Sequence, residues 1–78
     1  MSDAARQMID YVSKTLLRGR VAIDEHTPLV TSGLIDSLAQ TDVVLKLEEV
    51  TGKRFSPGSI SPEDLESVAS MMAAAARR

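Results

Sequence analysis

The sequence contains no cysteine, so neither a disulfide nor a thiolate metal site can stabilise its core. A chain of 78 residues buries only about 60% of its unfolded surface, which leaves little room for a second domain or a deep catalytic cavity. Its stability must therefore come from packed helices, and we expect a single domain over residues 1–78.

The sequence also lacks any apolar run that approaches the roughly 20 residues of a membrane-spanning helix. Residues 1–3, Met-Ser-Asp, lack the basic and then apolar pattern of a signal peptide. We therefore expect a cytoplasmic monomer without a membrane span.

Histidine occurs once, at position 26, and no Asp, Glu, Cys or second His stands at a metal-ligand spacing from it. His26 is therefore predicted to be a solvated loop residue, and no metal site is predicted. The Gly-x-Ser-x-Gly pattern that presents a nucleophilic serine is also missing. With His26 as the only candidate base, we predict no catalytic residue, so any chemistry at Ser37 must be performed by another enzyme.

The charges are unevenly distributed along the chain. Residues 1–20 contain four basic and two acidic side chains, whereas residues 21–54 contain six acidic and three basic ones. The few bases form no track for a phosphate backbone, so nucleic acid is not an expected partner and a DNA-binding bundle is disfavoured. An acidic middle segment favours a partner with a basic surface.

A first helix, capped by Ser2 or Asp3 and ended by Gly19, is predicted from apolar residues at helical spacing: Met8, Ile9, Val12, Leu16 and Leu17. The following segment, residues 18–36, shows no helical period and is predicted to be a long loop. Four apolar side chains are expected to hold this loop against the core: Val21, Ile23, Leu29 and Leu34.

A second helix is predicted over residues 37–51, ended by Gly52. At about 100° per residue, one face is apolar and is assigned to the core: Ala39, Gln40, Val43, Val44, Leu47, Val50 and Thr51. Leu38 and Leu45 lie on the opposite face with acidic and polar neighbours: Thr41, Asp42, Glu48 and Glu49. Apolar anchors among acids are typical of a docking surface, although single exposed leucines are also common.

Two residues compete to cap this second helix. Ser37 with Gln40 fits the capping-box pattern, and Asp36 is an equally good cap one residue earlier. The unpaired N–H groups and the positive dipole end of a helix start favour a phosphate, so a phosphodiester attached to Ser37 would lie in a suitable field.

The C-terminal third begins with a turn-rich link over residues 53–60, in which Phe55 and Ile60 are expected to enter the core. Residues 61–64 (Ser-Pro-Glu-Asp) are a strong start for a last helix. Its predicted core stripe has Met71 at the margin: Leu65, Val68, Ala69, Met72 and Ala76.

In this arrangement the chain resembles the acyl carrier protein and peptidyl carrier protein family over nearly its whole length. The resemblance lies in residues 33–38 (Gly-Leu-Ile-Asp-Ser-Leu), residues 47–49 (Leu-Glu-Glu) and residues 61–68 (Ser-Pro-Glu-Asp-Leu-Glu-Ser-Val). It implies an all-α fold, a small bundle of three main helices plus a short one, with a long loop between helices 1 and 2.

The resemblance also implies that Ser37 carries 4'-phosphopantetheine, donated by coenzyme A, and holds acyl or aminoacyl groups as thioesters. Partners would dock on the second helix through Leu38, Asp42, Leu45, Glu48 and Glu49, and Asp36 would help position Ser37. The implied partners are a phosphopantetheinyl transferase, an adenylating or other acyl-loading enzyme, and ketosynthase, condensation or transferase enzymes.

Fatty-acid carriers usually have another acid after Asp-Ser-Leu, a more acidic second helix and a large apolar residue at its end, whereas this chain has Ala39, Lys46 and Thr51. The motif looks more like stand-alone aminoacyl, peptidyl or specialised-metabolism (natural-product) carriers. The alternatives are a fatty-acid or polyketide carrier, and an unmodified helical adaptor that binds a protein through the Leu38 and Leu45 face.

Overall fold

The computed structural model describes residues 3–56 and 58–77, and over these residues the chain is an all-helical bundle without a strand. It contains α1 (Asp3–Asp10), which continues as a π-helix (Tyr11–Leu16), then α2 (Ser37–Thr51), a 3₁₀ helix (Pro62–Leu65) and α3 (Val68–Ala76). The first helix packs against both α2 and α3. None of the described helices is long and apolar enough to cross a membrane.

The first predicted helix is present, but its second half has a wider hydrogen-bonding pattern than an α-helix. Leu17 N–H donates to the Val12 carbonyl, five residues back, at 2.9 Å. This π-type spacing still leaves Met8 and Val12 fully buried, as predicted. Tyr11 is half-buried against the core, and Ser2, the alternative cap, lies outside the described residues.

The second helix runs over the predicted range, Ser37–Thr51. At its start, Asp36 is the cap, because its Oδ1 accepts the Ala39 N–H at 2.8 Å. At its end, Gly52 adopts a left-handed backbone with φ of 70°, which glycine adopts at little cost. The assigned core face is confirmed, with Val43 and Leu47 fully buried at its centre.

The prediction of one continuous last helix from Ser61 is wrong. Ser61 precedes only the short 3₁₀ helix, and α3 starts anew at Val68, with Ser67 as its cap. Because α3 starts again after this interruption, the residues that it buries differ from the predicted core stripe. Met71, expected at the margin, is fully buried, whereas Met72 is half-buried and Ala76 is exposed.

The long loop is confirmed between the first helix and α2, and His26 is exposed in it, as predicted. Leu29 is fully buried and is one of the side chains that hold the loop to the core. The expectation for Val21 is wrong, because this side chain is 37% exposed next to the end of the first helix. Ile35, which was not among the predicted anchors, is only 3% exposed.

The link after α2 also places its two apolar residues as expected. Phe55 is buried, and Ile60 packs half-buried against the same core. Both contribute to one cluster shared by all the helices and the long loop, so burial of apolar surface, the dominant favourable term in folding, holds the elements together.

Candidate functional site

Ser37 is the first residue of α2 and is exposed to solvent. Asp36 occupies the cap position and takes the Ala39 N–H, so the Ser37 hydroxyl is not needed to close the helix end. Within the described part of the chain, this hydroxyl has no hydrogen-bond partner. The site therefore presents an accessible hydroxyl beside the positive end of a helix dipole.

The chain that leads into Ser37 is fixed by a closed turn over residues 29–35. Ile35 N–H donates to the Leu29 carbonyl at 3.1 Å, and both side chains are buried in the core. Between them, Gly33 adopts a φ of 79°, a backbone that favours glycine. The buried Ile35, two residues before Ser37, and its bond to the buried Leu29 give this serine a defined position rather than a place in a free loop.

Ser32 lies five residues before Ser37 and is used differently. Its hydroxyl donates to the Pro28 carbonyl at 2.7 Å, and it accepts the Leu34 N–H at 3.3 Å. Ser32 is thus part of the turn, whereas the Ser37 hydroxyl remains open to another molecule.

The outer face of α2 carries two exposed leucines. Leu38 is 81% exposed and Leu45 is 59% exposed, and they are among the few large apolar side chains outside the core. Asp42 and Glu49 are exposed on the same helix, and Glu49 pairs with Lys46 at 3.2 Å. The structure therefore leaves two apolar side chains and the Asp42 carboxylate of this face open to a partner, with the Glu49 carboxylate exposed but paired with Lys46.

Glu48, the third predicted docking acid, has a structural role. It is half-buried, and its Oε2 accepts the Phe55 N–H at 2.8 Å. This bond joins the last turn of α2 to the link that follows. Sequence spacing alone placed Glu48 with the exposed acids, because the partner of its carboxylate is seven residues away in an irregular segment.

A depression of about 180 Å³ begins at Ser37, with Thr41, Ile60 and Leu65 in its walls. A second depression, of about 350 Å³, shares Thr41 and Ile60 and continues to Leu45 and Phe55. Together they form a groove along α2 with Ser37 at one end. No sequence pattern predicts this groove, because its wall includes the irregular link after α2.

Among residues 3–56 and 58–77, no three acidic or histidine side chains come together as a metal ion would require. Comparisons with protein-family models, curated proteins and solved structures find no match to this chain. The most distinctive features of the described residues are the exposed Ser37 hydroxyl and the outer face of α2.

Proposed function

We propose that this chain is a carrier protein that holds acyl or aminoacyl groups on a 4'-phosphopantetheine arm attached to Ser37. The observation that carries the proposal is the exposed Ser37 hydroxyl, without a partner among the described residues, at the start of a helix whose outer face bears Leu38 and Leu45. The chain itself performs no catalysis, and other enzymes modify, load and unload it.

The residues around Ser37 suit such a group. An exposed hydroxyl can form a phosphodiester without disturbing the core, and the helix dipole favours the added negative charge. The groove that starts at Ser37 gives a flexible arm a surface to lie against, which is mixed in polarity at Ser37 and mostly apolar towards Leu45 and Phe55. When bound, the arm supplies a terminal thiol that holds the cargo as a thioester.

The outer face of α2 supports recognition by several enzymes in turn. Leu38 and Leu45 supply apolar contact area next to Ser37, while Asp42 and Glu49 attract basic surfaces. The partners proposed are a phosphopantetheinyl transferase, an adenylating or acyl-loading enzyme, and ketosynthase, condensation or transferase enzymes. The cargo class proposed is aminoacyl or specialised-metabolite, which the mass of the loaded chain isolated from cells would identify.

The proposal predicts that the purified chain gains one phosphopantetheine group from coenzyme A when a broad-specificity phosphopantetheinyl transferase is added. Intact-mass measurement would show a single adduct on the wild type and none on Ser37→Ala. Ser32→Ala is the matched control, since its hydroxyl is bonded within the turn, and it should still gain the adduct. An unmodified wild type, or a modified Ser37→Ala, would overturn the proposal.

A second candidate function is an unmodified adaptor that binds a protein through Leu38 and Leu45. The observation in its favour is the exposure of these two leucines on one helix. Under this alternative, Ser37→Ala would leave all activity intact and no adduct would form, so the same mass measurement separates the two functions.

A further inference from the structure

Glu66 lies in the break between the 3₁₀ helix and α3. Its backbone carbonyl and its side-chain carboxylate both accept hydrogen bonds from the long loop. Its carbonyl accepts the Leu29 N–H at 2.7 Å. Its Oε1 accepts the Val30 N–H at 2.7 Å and the Thr31 N–H at 2.9 Å, and its Oε2 accepts the Thr31 hydroxyl. One residue therefore fixes three consecutive loop residues that lie about 35 positions earlier in the chain.

The same three loop residues open the turn that leads to Ser37. The Leu29 carbonyl accepts the Ile35 N–H at 3.1 Å, and the Val30 carbonyl accepts the Gly33 N–H at 3.1 Å. Ile35 is followed by Asp36, the cap of α2, and then by Ser37. A series of backbone hydrogen bonds thus runs from the Glu66 carbonyl through Leu29 to Ile35, the residue before the cap. The Glu66 side chain holds the adjacent Val30 and Thr31 of the same turn.

We infer that Glu66 is a positioning residue for Ser37, holding its hydroxyl in place for modification through the turn over residues 29–35. This role rests on the proposed carrier function. The interruption between the two C-terminal helices leaves the Glu66 carbonyl available to the Leu29 N–H, whereas in a continuous α-helix it would accept the N–H of residue 70. Docking would remain with the outer face of α2, so Glu66 would affect the chemical step and not the capture of the chain.

The variants that test this role differ in what they leave at position 66. Glu66→Ala removes every side-chain acceptor. Glu66→Gln keeps a carbonyl oxygen for the Val30 and Thr31 N–H groups and offers an amide N–H to the Thr31 hydroxyl, so it should restore most of the function. Glu63→Ala is the matched control, an exposed glutamate on the adjacent 3₁₀ helix.

The measurement is the steady-state rate of phosphopantetheinyl transfer to each variant, with hydrogen exchange at the Val30, Thr31 and Ile35 amides. For Glu66→Ala we expect faster exchange at the Val30 and Thr31 amides, which lose their acceptor, and a smaller increase at Ile35, whose bond to the Leu29 carbonyl remains. We also expect a kcat about tenfold lower and an unchanged KM, since misplacement of a reacting group acts on the chemical step. Glu66→Gln and Glu63→Ala should remain close to the wild type. If Glu66→Ala does not fold, Thr31→Val, which removes one of the bonds, should show a smaller loss of kcat.

An unchanged kcat in a folded Glu66→Ala, or in Thr31→Val if the first variant does not fold, would overturn the role of Glu66 while leaving the carrier function standing. A raised KM with an unchanged kcat would also overturn it, because it would place the effect on docking. If the wild type gains no adduct, the carrier function fails and this role fails with it. The two failures are therefore distinguishable in one set of assays.

Discussion

Two adjacent residues, Asp36 and Ser37, could each cap α2 according to the sequence, and the structure assigns the cap to one of them. Asp36 accepts the Ala39 N–H and caps the helix, which leaves the Ser37 hydroxyl outside the helix hydrogen bonds. If Ser37 were the cap, its oxygen would instead be held by a backbone N–H group. The choice of cap therefore determines whether the Ser37 hydroxyl is engaged at the helix end or open to solvent.

Replacing Asp36 separates its capping role from its charge. Asp36→Ala should lower the free energy of unfolding by about 1 kcal/mol, because the Ala39 N–H loses its acceptor. Asp36→Asn keeps a good cap and should retain most of this stability. Urea denaturation followed by circular dichroism measures both values, and equal losses in the two variants would contradict the capping role.

As an element, α2 packs one face against the core and leaves the other face exposed. Val43 and Leu47 are fully buried, whereas Leu38 and Leu45 on the other side are exposed. Substitutions on the outer face should therefore change recognition without changing the fold. This separation makes the docking hypothesis testable independently of stability.

Leu45→Asp should slow modification and loading by partner enzymes at least about tenfold, because it removes an apolar anchor and places a charge in the interface. Helix content should be unchanged, since Leu45 is 59% exposed. Val21→Asp is the control, because it makes the same kind of change at an exposed residue of the long loop. Equal loading rates for Leu45→Asp and the wild type would contradict docking on this face.

Sequence reasoning worked best where the signals are local. The bounds of α2 followed from a polar cap and from Gly52, and the exposure of Leu38 and Leu45 followed from helical spacing. It failed at the break between the 3₁₀ helix and α3. There Glu66 binds Val30 and Thr31 of the distant loop, and Ser67, which caps α3, was not recognised as a second helix start.

For the same reason, the buried position of Met71 was not predicted, because the phase of α3 is set at Val68 and not at Ser61. The π-type pattern after Asp10 was also beyond sequence reasoning, since its apolar residues fit α-helical spacing equally well. Ser37 and the outer face of α2 were the parts of the candidate site that could be predicted from the sequence. The groove and the bond from the Phe55 N–H to Glu48 could not be predicted.

At the scale of the whole molecule, contacts between irregular segments and helix ends add to the small core. The Ala69 N–H donates to the Glu25 carbonyl at 2.9 Å, and Lys53 Nζ donates to the Ala75 carbonyl at 2.9 Å. Arg77 Nη2 lies 2.9 Å from Asp64 Oδ1. In a chain without cysteine, such bonds tie the long loop, the link and α3 together.

Two carboxylates, those of Glu66 and Asp64, should make the stability of the fold decrease in acid. The Thr31 hydroxyl and amide lower the pKa of Glu66 from its ordinary 4.5, and the Ser61 N–H and Arg77 lower the pKa of Asp64 from its ordinary 3.8. Because these folded-state pKa values lie below the unfolded ones, the stabilisation is complete above the unfolded pKa and is lost as the pH falls through the folded pKa.

Thermal denaturation between pH 7 and pH 3 should therefore show a steady melting temperature down to about 4.5, the ordinary pKa of glutamate, and a decline below it. Glu66→Gln cannot titrate at this position, so its melting temperature should decline less steeply. Asp42→Asn, on the outer face of α2, controls for the loss of one negative charge. A decline in Glu66→Gln as steep as in the wild type would contradict the assigned role of this carboxylate in acid.

The most direct test of the carrier function is to locate the modification within the chain. After incubation with coenzyme A and a phosphopantetheinyl transferase, trypsin should release the peptide over residues 21–46, which contains both Ser32 and Ser37. Fragmentation of this peptide should place a single phosphopantetheine group on Ser37. A peptide without the group, or a group on Ser32, would contradict the account.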